Sequence, residues 1–378
     1  MKALVTGAKG FIGRNLCQSL LRLPDVEVLR NDVDSAPGEL ERQLDACDFV
    51  FHLAGVNRPR EEGEFARGNA ELAERILARL EARWRAGGTA APVLLSSSIQ
   101  AAQDNPYGRS KLAAERAAFR YGKRTGAPVH VFRLANVFGK WCRPNYNSVI
   151  ATWCHNLSRD LPITVRDPNA PIRLVYVDDV VAAFVGRLGV SAADASSARA
   201  RRLSVKPCYR KTLGEVSELI RSFAAEPSTR EVPDQGDDFS RKLYATYLSH
   251  LPEDSFAYPL VTHADARGSF SEFLRTPDRG QVSVNVARPG AVKGGHWHHT
   301  KHEKFLVVKG EGLVRLRRVD GGSETVEYRV SGERLDVVRI PPGWAHSIAN
   351  VGADDLVTVM WANEPFNPAR PDTYGEKV

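Results

Sequence analysis

Hydrophobic and polar positions change their rhythm once along this chain. Through about Leu188, short apolar runs alternate with stretches of helical periodicity. Lys2–Val5, Phe49–Leu53, Val93–Ser96, Val129–Leu134 and Leu174–Val177 read as strands buried on both faces, as in a parallel sheet. Gly13–Leu21, Phe65–Arg83 and Lys111–Arg120 carry apolar residues at helical spacing. A further helix is expected over Lys211–Phe223. Strands alternating with helices predict a doubly wound α/β parallel sheet. Ala225–Ser240, rich in Pro, Gly, Ser and Asp, reads as a loop or linker. From Ser269 the pattern is all-β: Ser269–Arg275, Gln281–Ala287, Lys304–Val319, Thr325–Val330, Leu335–Ile340 and Leu356–Trp361, with Gly and Pro at the turns. That spacing predicts a compact barrel or jelly roll. The expected division is residues 1–250 and residues 251–378.

A length of 378 residues and an apolar content of 43% suit such a multidomain globular chain. Cys17, Cys47, Cys142, Cys154 and Cys208 form no CxxC pair, which points to reduced thiols rather than a disulfide framework. Met1 runs straight into the first strand, so no signal peptide is expected, and no apolar run reaches membrane-spanning length. A cytoplasmic protein without membrane insertion is the expectation. The net charge of +7 permits an anionic partner. No basic helix carries interleaved aromatics, so that partner reads as a phosphorylated small molecule and not a nucleic acid.

The first chemical signature is Thr6-Gly7-Ala8-Lys9-Gly10-Phe11-Ile12-Gly13, between a strand and a helix. Glycines there let the backbone approach a pyrophosphate, and the helix start offers N–H donors to it. The spacing resembles the Rossmann-type domain of the extended short-chain dehydrogenase/reductases (SDR). The resemblance implies that Gly7, Lys9, Gly10, Phe11, Ile12 and Gly13 bind a nicotinamide cofactor, as do Leu53, Ala54 and Gly55 after the third strand. The second strand, Val26–Leu29, ends at Arg30. Arg30 reads either as a ligand for a ribose 2′-phosphate or as a solvated loop residue; the first reading makes the cofactor NADPH.

Tyr107 and Lys111 stand four apart, on one face of a helix. A nearby ammonium is expected to lower the phenol's pKa and make it a usable proton donor. Ser96 and Ser98 share one strand face. The family pattern favours Ser98 as the group that bonds the substrate carbonyl, with Tyr107 and Lys111 completing the catalytic set.

The second signature is His296-x-His298-x4-Glu303 with His346 downstream in Pro341-x-Gly343-x2-His346. Residues at i and i+2 of a strand point the same way, so His296 and His298 both face the barrel interior. Glu303 lies in phase with Phe305 and Val307, and His346 arrives from a later strand. Three imidazoles and a carboxylate suit a divalent metal, zinc being the expectation over Fe, Mn or Ni. The spacing resembles that of the cupin barrels. Asn136, Lys140, Trp141 and Asn145 follow a strand's C-terminal end, where substrates bind in open sheets. They read as contacts for a sugar nucleotide or as an ordinary structured loop.

Longer segments narrow the resemblance. Leu94–Gln100, Asp104–Gly108, Phe138–Cys142, Asn145–Thr152, Pro277–Asn285 and His296–Lys301 are similar to the bifunctional (CapF-type) enzymes of capsular polysaccharide and O-antigen biosynthesis. That family makes the precursor of UDP-N-acetyl-L-fucosamine. The interval from Arg30 to Phe49 is shorter than the strand and helix that usually fill it. The resemblance implies a UDP-2-acetamido-2,6-dideoxy-4-ketohexose substrate, a cupin C3 epimerase and an SDR C4 reductase. It also implies UDP-2-acetamido-2,6-dideoxy-β-L-talose as product and a homodimer. Lys301, His302 and Glu303 stand as candidates for the C3 base. The alternative is a C4 reductase carrying a structural or sugar-sensing cupin.

Overall fold

The computed structural model describes residues 1–61, 63–189, 201–321 and 324–378. Its chain forms two compact units, Met1–Ile220 with Lys242–Leu251, and Arg221–Arg241 with Pro252–Val378. The stretch read from sequence as a linker is therefore largely part of the second unit. It holds a helical turn at Glu226–Thr229, and the Val232 N–H donates to the Arg275 carbonyl at 2.9 Å.

In the first unit, β1 (Lys2–Thr6), β2 (Glu27–Asn31), β3 (Phe49–His52), β4 (Val93–Ser98) and β5 (Val129–Leu134) form the main parallel sheet. Arg201–Leu203 extends it beside β5, so the order is β2, β1, β3, β4, β5 and then that edge strand. The order reverses beside β1, which is where ligands bind in doubly wound sheets. Alternation along β1 shows how apolar runs become sheet: Leu4 packs in a cluster with Leu77, Ala114 and Tyr121, whereas Ala3 and Val5 pack on the other face with Leu16 and Leu20.

Four helices position the nucleotide side. They are α1 (Phe11–Leu20), α2 (Glu39–Ala46), α3 (Leu72–Arg85) and α4 (Pro106–Thr125). The interval read as shorter than a strand plus a helix holds helix α2, and the extra strand is absent there. The expected Phe65–Arg83 helix is broken by a π turn at Ala66–Glu71. The Leu174–Val177 run lies in a separate small sheet, in which Pro171–Tyr176 pairs with Asn136–Phe138 and Tyr209–Thr212. Among the described residues, no helix is long and apolar enough to cross a membrane.

The second unit is two antiparallel sheets. One contains Gly268–Thr276, Gly280–Ala287, Leu356–Ala362, Glu303–Lys309 and Val337–Ile340; the other contains Thr325–Ser331, Glu311–Arg318, Trp344–Asn350 and Val292–Trp297. Phe305, Val307 and Leu356 from the first pack with Val314, Leu316 and Ile348 from the second in a shared core. The expected Lys304–Val319 run is two strands, separated at Gly310.

Candidate functional site

The glycine turn is built as its residue types require. Gly7 has φ 69°, and a Cβ on Gly13 would lie 2.0 Å from the Gly7 carbonyl oxygen. Only glycine lets α1 start this close to β1. Lys9 and Gly10 are exposed on the turn, Phe11 and Ile12 are half-buried, and Gly13 is buried. The Lys9 N–H donates to Asp32 at 2.7 Å, while its ammonium pairs with Asp34. Arg30 lines a cavity of about 430 Å³ beside this turn, together with Lys9, Arg14, Asp32 and Trp141.

Helix α4 begins with Asn105, whose side chain accepts the Gly108 N–H at 2.8 Å, and Pro106 follows at the first turn. This start sets Tyr107 and Lys111 one turn apart on the face toward β4. Ser98 hydrogen-bonds Tyr107, so the structure brings together the three groups that the sequence singled out. The Lys111 ammonium lies 3.5 Å from the Ser96 carbonyl and 5.8 Å from the Tyr107 ring centre. Leu53 and Ala54 are half-buried at the end of β3. Next to them, Gly55 leaves room for the lysine, since a Cβ there would lie 2.9 Å from Lys111 Nζ.

One electrostatic expectation is corrected. Burial raises the Tyr107 phenol above its ordinary value, and the Ser98 hydrogen bond only partly offsets this. Burial also lowers Lys111 to about 8. Burial thus disfavours the charged form of both groups, although a lysine at about 8 still holds its proton at neutral pH.

Asn69 is a neighbour that motif spacing did not reveal. Its amide accepts from the Val56 N–H at 2.9 Å and donates to the Val56 carbonyl at 2.9 Å and to Ser110 Oγ at 3.0 Å. The π turn aims it there, next to Gly55 and Lys111.

The loop residues expected at the substrate have mixed placements. Asn136 donates to the Arg173 carbonyl at 3.1 Å, Lys140 pairs with Asp178, and the Asn145 N–H donates to Thr152 Oγ1 at 2.9 Å. Trp141 faces the Arg30 cavity instead.

In the barrel, His296, His298, Glu303 and His346 offer ligand atoms all within 4.8 Å of one another. His296 and His346 stand directly opposite each other on paired strands. Glu303 opens a strand of the other sheet, so ligands from both sheets converge. They line a cavity of about 730 Å³ that also receives Lys293, Lys301, Phe305 and Trp361. His298 Nε2, Glu303 Oε2 and His346 Nε2 are buried without a hydrogen-bond partner, although His346 and His298 approach Glu303 to 3.2 and 3.7 Å. Buried polar atoms left in this state call for an ion, and the donor set fits a divalent metal. Burial, then the neighbouring imidazoles, lowers His296 to about 4. Burial opposes ionisation of Glu303, yet contacts from His298 and His346 hold it at about 2. At neutral pH the site therefore presents a neutral His296 and a carboxylate, the forms that bind metal.

Lys301 lines this cavity, with its ammonium donating to the Pro371 carbonyl at 2.9 Å. His302 does not line it. It is exposed, with its ring against Trp361, which removes it from the candidate bases. A residue that sequence reading missed is Asp372: its carbonyl contacts His298 Nδ1 and its carboxylate holds the following turn. Arg230 likewise reaches the cavity wall from the supposed linker, pairing with Glu272 at 3.3 Å.

Comparison with known proteins agrees with this two-part layout. Residues 3–194 match the NAD dependent epimerase/dehydratase family, and residues 263–374 match the polysaccharide biosynthesis C-terminal domain. The chain is 46% identical to UDP-2-acetamido-2,6-beta-L-arabino-hexul-4-ose reductase of Pseudomonas aeruginosa, over 100% of this chain and 99% of that one. It superposes on the capsular polysaccharide assembling protein CapF from Staphylococcus aureus with TM-score 0.88 and 46% identity, covering 100% of both chains. UDP-glucuronic acid 4-epimerase from Bacillus cereus matches 66% of this chain and 99% of its own, at TM-score 0.55 and 18% identity, a likeness of fold alone. With end-to-end identity to both full-length relatives, and the paired signatures in place, this chain belongs to the CapF-type family of nicotinamide-dependent UDP-keto-sugar reductases in capsular polysaccharide biosynthesis.

Proposed function

We propose that the chain performs two consecutive reactions on one sugar nucleotide. The barrel inverts C3 of a UDP-2-acetamido-2,6-dideoxy-4-ketohexose. The α/β unit then reduces the C4 ketone with NADPH, giving UDP-2-acetamido-2,6-dideoxy-β-L-talose. The reading further takes the working enzyme as a cytoplasmic homodimer.

The convergence of His296, His298, Glu303 and His346 inside a cavity of about 730 Å³ carries this reading. A structural cupin would need no open space beside its ligands. The C3 proton is acidic because it adjoins the C4 ketone. A divalent ion held by the four residues, zinc foremost, would supply Lewis-acid polarisation of a sugar oxygen. Lys301 stands in the same wall and is the side chain we assign to move the C3 proton; Glu303 is committed as a ligand. Phe305 and Trp361 provide apolar surface that excludes water from the sugar.

In the α/β unit, a bound nicotinamide would supply the hydride to C4. Tyr107 donates the phenolic proton to the C4 oxygen, and Ser98 holds that oxygen by hydrogen bond. With its phenol raised by burial, Tyr107 arrives protonated, as the reductive direction requires. Lys111 sits behind Tyr107 on the cofactor side. Asn136, Lys140 and Asn145 remain our residues for the sugar-nucleotide wall. The relative from Pseudomonas aeruginosa is named as a reductase of a UDP-linked hexul-4-ose, a sugar with its ketone at C4, which supports the C4 reduction.

The test is incubation with the UDP-4-keto sugar in D₂O without NADPH, following C3 by NMR. Deuterium entering at C3, and lost after chelation, is the expected outcome. No exchange in protein that still oxidises NADPH with the sugar would leave a C4 reductase with a non-catalytic barrel.

A further inference from the structure

Trp141 has φ 67°. A bulky aromatic seldom adopts this left-handed conformation, and it persists only where the surroundings over-determine it. Here they do. The Arg14 guanidinium donates to the Trp141 carbonyl at 2.5 Å, and the Asn15 amide donates to the Lys140 carbonyl at 3.3 Å. The loop after Asn136–Phe138 thus hangs from the first turn of α1, the helix opened by the glycine signature.

This tether turns the indole outward, and 42% of the residue is exposed. The ring is not a core residue. It lines the cavity of about 430 Å³ shared with Lys9, Arg14, Arg30 and Asp32, at the end of β2. The charges there are unevenly matched. Asp34 is paired with Lys9, and the Asp32 carboxylate accepts the N–H groups of Lys9 at 2.7 Å and Val33 at 2.9 Å. Among the described residues, neither Arg14 nor Arg30 is paired with a carboxylate. The cavity therefore offers a flat π face beside two guanidinium groups, which suits a nucleobase carrying a phosphate on its ribose.

We propose that Trp141 is the stacking platform for the adenine of the cofactor, with Arg14 and Arg30 beside the ribose 2′-phosphate. Trp141 is then a cofactor-binding and selectivity residue, not a contact for the UDP-sugar. The proposal rests on the reading of the glycine turn as the nicotinamide-cofactor site.

The test titrates full-length wild type, Trp141→Ala, Trp141→Leu and Trp141→Phe with adenosine 2′,5′-bisphosphate and, separately, with UDP, by calorimetry. Base–aromatic stacking predicts that the Ala and Leu variants bind the bisphosphate about tenfold more weakly or worse, while Phe stays within about threefold of wild type. UDP affinity stays unchanged throughout, and KM for NADPH rises in the Ala variant while kcat is kept. Should the Ala variant unfold, the bulk-preserving Leu variant decides. Unchanged bisphosphate binding in the Leu variant, or a loss of UDP affinity in its place, overturns the assignment and leaves the cofactor site standing. Wild type that binds UDP but no bisphosphate overturns the assignment together with the cofactor reading.

Discussion

The Lys301 N–H donates to Asp372 at 2.8 Å, joining residues 71 apart. The same carboxylate accepts the N–H groups of His299 and Thr300, each at 2.9 Å. Burial acts to raise the Asp372 carboxyl, but these backbone donors outweigh it and hold it well below the usual carboxylate range. Asp372 therefore ties down the turn that separates His298 from Glu303, and its carbonyl orients the His298 ring.

If that tether sets the ligand geometry, Asp372→Ala weakens metal binding by about 10- to 100-fold, the usual effect of losing an outer partner. Titration against a competing chelator reads this directly, with C4 reduction as the internal control. An unchanged metal affinity would mean that the turn holds its shape without Asp372.

Separate substitutions should separate the two activities. Tyr107→Phe removes the proton donor, and C4 reduction falls by about 10²- to 10⁴-fold while C3 exchange continues. His296→Ala, or chelation, abolishes C3 exchange and spares reduction of an already epimerised keto sugar. Either variant losing both reactions, with circular dichroism unchanged, contradicts the two-site arrangement.

Lys111 is 9% exposed and has its ammonium lowered to about 8 by burial. Its unfolded value is higher, so the unfolded chain binds more protons between about pH 8 and 10.5, and this residue's contribution to stability rises with pH across that window. Below pH 8 the folded protein carries the full cost of the buried charge, on the order of 3 kcal/mol. Lys111→Met should thus be more stable than wild type at pH 7, with the difference fading by pH 10.5. Urea unfolding of both proteins at the two pH values measures it; equal stability at pH 7 would show that the ammonium's contacts offset its burial.

Glu115, fully buried, lies one turn beyond Lys111 and bonds Ser97 Oγ at 2.6 Å, Arg133 Nε at 2.8 Å and Arg202 Nε at 2.9 Å. Burial alone would raise its carboxyl; the hydrogen bonds from Arg133, Ser97 and Arg202 lower it instead. Removing the carboxylate leaves the buried Ser97 hydroxyl without its acceptor while Arg133 and Arg202 keep access to water, so Glu115→Ala should cost about 1–3 kcal/mol. Thermal and urea unfolding would show it, and a loss below about 1 kcal/mol would mean that water replaces the carboxylate.

Much of the site was legible because its chemistry is written at short range. His296 and His298 are two residues apart, Tyr107 and Lys111 four apart, and the glycine turn spans consecutive residues; strand and helix geometry converts each spacing into a shared face. The Ser98–Tyr107 contact needed only that β4 and α4 meet. His302 was misjudged by the same logic, since its place next to Glu303 says nothing about which side of the turn it occupies. The ammonium's effect on Tyr107 failed for a different reason: spacing conveys proximity but not desolvation, and burial dominates both groups.

By itself, the chain's order of residues determined the two architectures, the glycine turn, the tyrosine–lysine pair and the three histidines and one glutamate that converge in the barrel. Periodicity and spacing act within one or two elements, where backbone geometry is nearly invariant. Tertiary structure alone decided that Asp372 clamps the turn between His298 and Glu303, that Asn69 braces Val56 and Ser110, that Arg230 walls the barrel cavity, and that Trp141 faces the glycine turn. Each of these depends on which distant strands and loops pack together. That choice is made by the whole core's burial and hydrogen bonding, and no local pattern encodes it.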